Sequence, residues 1–72
     1  MNGEHTGTVV AVKIDRGFGF IQIDDEDRST FFHASDLRPE LEFDDQLMER
    51  RVRFELGQGR GGRERAINIG PE

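Results

Sequence analysis

Seventy-two residues make a single domain that buries only about 60% of its unfolded surface, which leaves no room for a deep catalytic cleft and points to a surface site. The chain has no cysteine and two histidines, which excludes a disulfide framework, a thiolate metal site and a zinc site closed by histidines alone. A net charge of −5 weighs against a polyanion partner, but the charge is polarised. Asp36 to Glu49 carries six acids against one base, whereas Arg50 to Arg65 carries six arginines against Glu55 and Glu64. Lys13 is the only lysine, and the other nine bases are arginines, whose planar guanidinium pairs with phosphates and stacks on rings.

Met1 to Thr6 is polar and reads as a frayed end. GTVVAVKI from Gly7 is rich in β-branched residues and forms the first predicted strand, apolar on both faces, so its core side is left open. Asp15, Arg16 and Gly17 make a turn. FGFIQI follows as a second strand, with Ile21 and Ile23 on the core face and Phe18 and Phe20 side by side on the other. Gly19 thins the strand behind the two rings.

The acidic run Asp24 to Asp27 reads as a hairpin connection. A calcium loop would need glycine at its sixth position and glutamate at its twelfth, where Ser29 and Ser35 stand instead. STFFH is the third strand, on which Phe31 and His33 share a face, and a short turn at Ala34 to Asp36 buries Leu37. Arg38 to Met48 has neither helical nor strand period and reads as a long connection pinned by Leu41, Phe43 and Leu47. MERRVRFEL alternates cleanly, placing Val52, Phe54 and Leu56 inward on a fourth strand with Arg51, Arg53 and Glu55 outward. Gly57 to Gly62 is a loop, and RERAINI is a fifth strand with Ile67 and Ile69 inward. Five short strands, no helical segment and a long link after the third predict an all-β fold, a small closed or nearly closed barrel.

GQGRGG satisfies GxGxxG, but a strand follows it where a nucleotide-binding fold needs a helix, so a hairpin loop is the expectation. Within and beside it, Arg60, Arg63 and Arg65 supply an electrostatic rim. A hydrolase would use His33 as base for Ser35 with Asp36 as orienter, yet Asp36 points to the opposite strand face and no oxyanion donors are evident. RGFGFI also matches an RNA-recognition-motif signature, but that fold places its other aromatic strand earlier and needs two helices.

GTV at Gly7 to Val9, RGFGFI at Arg16 to Ile21, FFHAS at Phe31 to Ser35, VRFE at Val52 to Glu55 and AINI at Ala66 to Ile69 together resemble the bacterial cold-shock domain, over about residues 7 to 69. The resemblance implies a five-stranded antiparallel OB-type barrel that stacks single-stranded RNA or DNA on aromatics of its second and third strands. A monomer without cofactor or catalytic activity is the expectation. The longest apolar run, Val9 to Val12, is far short of a membrane span or a signal-peptide core, so a cytoplasmic location is expected. Family members act as RNA chaperones and as transcription or translation regulators. By matching position, Phe18, Phe20, Phe31 and His33 are the implied stacking residues, with Phe43 a further aromatic in the long connection. Arg16 stands for the usual lysine, and Lys13 adds a basic residue for a phosphate.

The first strand departs from the family pattern. After Val9 stand Val10, Ala11, Val12 and Lys13, so the usual basic residue, tryptophan and phenylalanine are absent, and Ala34 replaces another common phenylalanine. Base stacking contributes about 1–3 kcal/mol per base, so two lost rings cost about 2–6 kcal/mol and bring a nanomolar site to micromolar or weaker. The same losses keep a second class of function in view, an OB-type protein-interaction module that no longer binds nucleic acid.

Overall fold

The computed structural model describes residues 4–58 and 62–72. Five strands, β1 (Glu4–Lys13), β2 (Phe18–Ile23), β3 (Ser29–His33), β4 (Arg51–Gln58) and β5 (Glu64–Pro71), close a barrel in the order β1-β2-β3-β5-β4. Two three-residue 3-10 turns, Ala34–Asp36 and Asp45–Leu47, interrupt the passage from β3 to β4. The five expected strands are all present. Their bounds shift: β1 begins at Glu4 and pairs with β4 from there, β4 starts at Arg51 rather than Met48 and runs on through Gln58, and β5 spans Glu64–Pro71 rather than the expected Arg63 to Ile69.

The barrel is not antiparallel throughout. β3 and β5 run parallel, in register at Phe31 and Arg65, and Leu37 makes a further parallel bridge to Ile69. Leu37 is therefore half-buried under β5 rather than fully interior. The reason is topological, because β5 must reach the free edge of β3 after a crossover that reverses its sense.

Two bulges settle which residues face the core. In β1 the pairing with β2 shifts between Val9 and Ala11, so Val9 and Val12, three apart, both turn inward and Val10 is left exposed. In β5 the pairing with β4 shifts between Arg53 and Glu55, and Asn68 takes a positive φ of 51°. As a result Ala66 and Ile69 are buried while Ile67, expected inward, turns out beside Gly57.

The interior is built from Val9, Ile21, Ile23, Phe32, Val52, Phe54, Ala66 and Ile69, with Leu41 and Leu47 from the long connection closing one end. Asp44 caps the 3-10 turn that carries Leu47, its carboxylate accepting the Gln46 N–H at 3.0 Å. The connection is stitched to β1 by Val9 N–H to Arg50 O at 3.0 Å and Glu49 N–H to Val9 O at 2.8 Å. Elsewhere on the barrel, Arg51 clamps three segments. Its Nη1 and Nη2 donate to both oxygens of Asp24, at 2.8 and 2.6 Å, and its Nε donates to Glu72 at 2.9 Å. With Thr6 also donating to Asp24, the carboxyl of Asp24 is lowered to about 2.

Candidate nucleic-acid interface

The outer face of β1, β2 and β3 carries two cross-strand rows. Lys13 stands opposite Phe18, and Phe18 opposite His33. In the second row Ala11 faces Phe20, Phe20 faces Phe31 and Phe31 faces Arg65. Directly opposed residues share a sheet face with their Cβ atoms about 5 Å apart, so each row is one continuous strip of side chains.

The three phenyl rings touch one another. Phe18 lies 5.4 Å from Phe31 between centroids, tilted by 33°, while Phe20 meets Phe18 and Phe31 edge-on at 5.9 and 6.0 Å. All three are half-buried, supported from below and open on one side. Behind them the strand is thin because Gly19 faces inward, and the fully buried ring of Phe32 fills that space. In the FF pair of β3, alternation sends Phe31 to the surface and Phe32 to the core.

His33 is held by its own turn. Its Nδ1 accepts the Ser35 N–H at 3.1 Å and contacts Ser35 Oγ at 3.0 Å, so the neutral ring carries its proton on Nε2. Nε2 lies near the Gly17 backbone, at the tight turn made by Arg16 and Gly17 N–H groups bonding Lys13 O. Gly17 takes a φ of 78°, a conformation in which a side chain is strained. This turn leaves Arg16 exposed at one end of the platform, next to Lys13.

Asp36 does not orient the imidazole. Its Oδ2 accepts the backbone N–H of His33 at 2.9 Å, and its Oδ1 pairs with Arg65 Nη2 at 3.4 Å. His33 and Ser35 are thus a helix cap, and no Ser-His-Asp relay forms. None of the positions in the two rows is a carboxylate, and the next row on the same face is Thr8, Gln22 and Ser29. The acidic balance of the chain is therefore kept off the rings.

Of the other expected positions, Phe43 stands apart from the two rows. Phe43 packs edge-on against Phe32, at 6.2 Å between centroids, and makes no ring contact with Phe18, Phe20 or Phe31. The structure places it with the core because its connection must cover the open end of the barrel. Val12 packs inward because of the Val10 bulge, and Lys13 takes the outward place. Arg60 lies outside the described residues. The residue that sequence reasoning underrated is Arg65, read only as part of a basic rim. Its place opposite Phe31 depends on the parallel closure, which leaves no local signal.

A five-stranded OB-type barrel with an aromatic outer face on β2 and β3 is the arrangement of a cold-shock domain. The family model described as "'Cold-shock' DNA-binding domain" matches residues 5–71, and the chain belongs to this family of nucleic-acid-binding domains. It is 41% identical over 56 residues to a cold shock protein of Arthrobacter globiformis, covering 78% of this chain and 82% of that one. Among solved structures it is similar to the Drosophila chain Unr CSD456, with a TM-score of 0.73 and 28% identity over 94% of its own length. It spans 26% of the length of that Drosophila chain.

Proposed function

We propose that this chain binds short stretches of single-stranded RNA or DNA by stacking bases on Phe18, Phe20, Phe31 and His33, with Lys13 and Arg16 holding the backbone. The observation that carries the reading is the set of three mutually touching, half-exposed phenyl rings in rows that hold two cations and no carboxylate. Every base has a π-face, so such a surface accepts many sequences. Unpaired bases held this way are withdrawn from duplex, which supports a role as an RNA chaperone or as a regulator of transcription or translation.

Because Ala11 leaves the β1 end of the second row without a ring, the site is narrower than a fuller aromatic platform. Micromolar affinity follows from the loss of about 1–3 kcal/mol per missing stack. The test is titration of a labelled pyrimidine-rich oligonucleotide with wild type, Phe20→Ala and Phe31→Ala. Each substitution is expected to weaken binding by about 5- to 150-fold. Unchanged affinity in both variants sinks the stacking reading. Absence of oligonucleotide binding at low salt, with a protein recovered by pull-down, supports an interaction module instead.

A further inference from the structure

The stacking surface accounts for affinity but not for choice among bases. Phenyl rings read no base edge, and the His33 ring is engaged with its own turn through Nδ1. Of the donors in the rows, only one carries a planar fork. Arg65 stands directly opposite Phe31 on the outer face.

Arg65 is held differently from the other cations of the site. Lys13 and Arg16 are exposed and are free to follow a phosphate backbone into solvent. The Arg65 guanidinium is tethered from beneath by Asp36, whose side chain is only 7% exposed and is itself fixed by the His33 N–H. Its Nε is buried without a hydrogen-bond partner, and its Nη1 end makes no hydrogen bond or ion pair within the described chain. A guanidinium in this state keeps its orientation and has donor capacity to spare. Orientation is what a base-edge contact requires and what a phosphate contact does not.

We infer that Arg65, tethered to Asp36 at the rim of Phe31, hydrogen-bonds the edge of the base stacked on Phe31 and gives the platform a preference for guanine at that one position. This rests on the stacking reading above. Guanine is the base that presents two adjacent acceptors, O6 and N7, on one edge, whereas adenine sets a donor beside N7 and thymine offers a single O4 on the same side. The flat donor fork of arginine matches two adjacent acceptors, and the ring of Phe31 sets the height at which they meet it.

The experiment scans one guanine through heptathymidine and measures affinity by fluorescence anisotropy with a labelled strand. Wild type is expected to bind one of the substituted strands about 5- to 150-fold more tightly than heptathymidine. The same strand carrying 7-deazaguanine, which lacks the N7 acceptor, is expected to lose most of that gain. Arg65→Lys keeps a charge beside Asp36 but has no planar fork, and it is expected to bind heptathymidine and the guanine-bearing strand alike, losing the gain from guanine. Heptathymidine bound with no favoured guanine position overturns the assignment to Arg65 and leaves stacking standing. A guanine preference that survives in Arg65→Lys, or an equal loss on every strand with a shallower salt dependence, overturns it in favour of a phosphate contact. Failure of every strand to bind at low salt overturns the stacking reading and this inference with it.

Discussion

The ring of Phe32 lies against the inner face of Gly19, so close that a methyl group on Gly19 would stand 2.7 and 2.8 Å from two of its ring carbons, and closer still to the Ala11 carbonyl of β1. The glycine between the two surface phenylalanines is therefore a packing requirement of the interior. The platform is flat in front because a ring occupies the space behind. Gly19→Ala is expected to destabilise the fold by about 1–3 kcal/mol, the usual cost of overpacking a filled core. The chain has no tryptophan or tyrosine, so urea unfolding followed by far-ultraviolet circular dichroism is the suitable measurement. A midpoint equal to wild type would show that the ring and the β1 backbone at Ala11 can both give way at no cost.

Ala11 faces Phe20 on the outer surface and marks the place where the second row runs out of rings. Ala11→Trp is expected to tighten oligonucleotide binding by about 5- to 150-fold, from one added stack of about 1–3 kcal/mol. The new indole also reports binding directly by quenching. No gain in affinity would mean that bases do not reach the β1 side of the platform.

The Arg51 clamp makes stability depend on acid. The carboxyl of Asp24 sits at about 2 in the folded chain against an ordinary 3.8, because it accepts hydrogen bonds from Arg51 and Thr6. The unfolded chain therefore binds its proton more readily. Its stabilising contribution is complete above about pH 4 and is lost as pH falls through about 2. Asp24→Asn is expected to flatten the stability profile between pH 4 and pH 2, read as thermal midpoints across a pH series. Added salt is expected to shrink the difference, because the pair is solvent-exposed. A profile with wild-type slope over that range would remove Asp24 from the acid response.

Asn68 holds a φ of 51° at the bulge of β5 and reaches Glu55 Oε1 at 3.4 Å. Asn68→Gly is expected to leave stability within about 1 kcal/mol of wild type, since glycine takes this conformation without strain. Asn68→Val is expected to cost about 1–2 kcal/mol, because its branched Cβ opposes a left-handed backbone. Equal unfolding midpoints for the two variants would show that the bulge can be straightened without loss.

These bulges also mark where the sequence stopped being informative. β4 was legible because apolar and polar residues alternate with the period of the pleat, and β2 and β3 because residues two apart share a face, which set Phe18 beside Phe20 and Phe31 beside His33. β1 was ambiguous, since VVAV is apolar at every position, and one extra residue at Val10 decides the faces without any compositional trace. In β5 the pattern AINI suggested Ile67 and Ile69 together, whereas the bulge at Asn68 pairs Ala66 with Ile69. The only local sign was that asparagine tolerates a positive φ better than most residues. The sequence marks Phe43 as a pin of the long connection, and the family resemblance makes it a further aromatic of the site. Its contact with Phe32 follows from how that connection folds over the barrel end, a matter of tertiary packing.

The parallel pairing of Phe31 with Arg65 is where the barrel closes on itself, and it joins the two strands by a shorter ladder than any other pair in the sheet. A nucleic-acid strand bound as proposed lies across this seam, touching β3 through a ring and β5 through a guanidinium. Ligand and closure then become linked equilibria, in which whatever favours one favours the other. Saturating oligonucleotide would slow amide hydrogen exchange at the seam more than at the β1-β2 ladder, so that the guest acts as the last rung of its host.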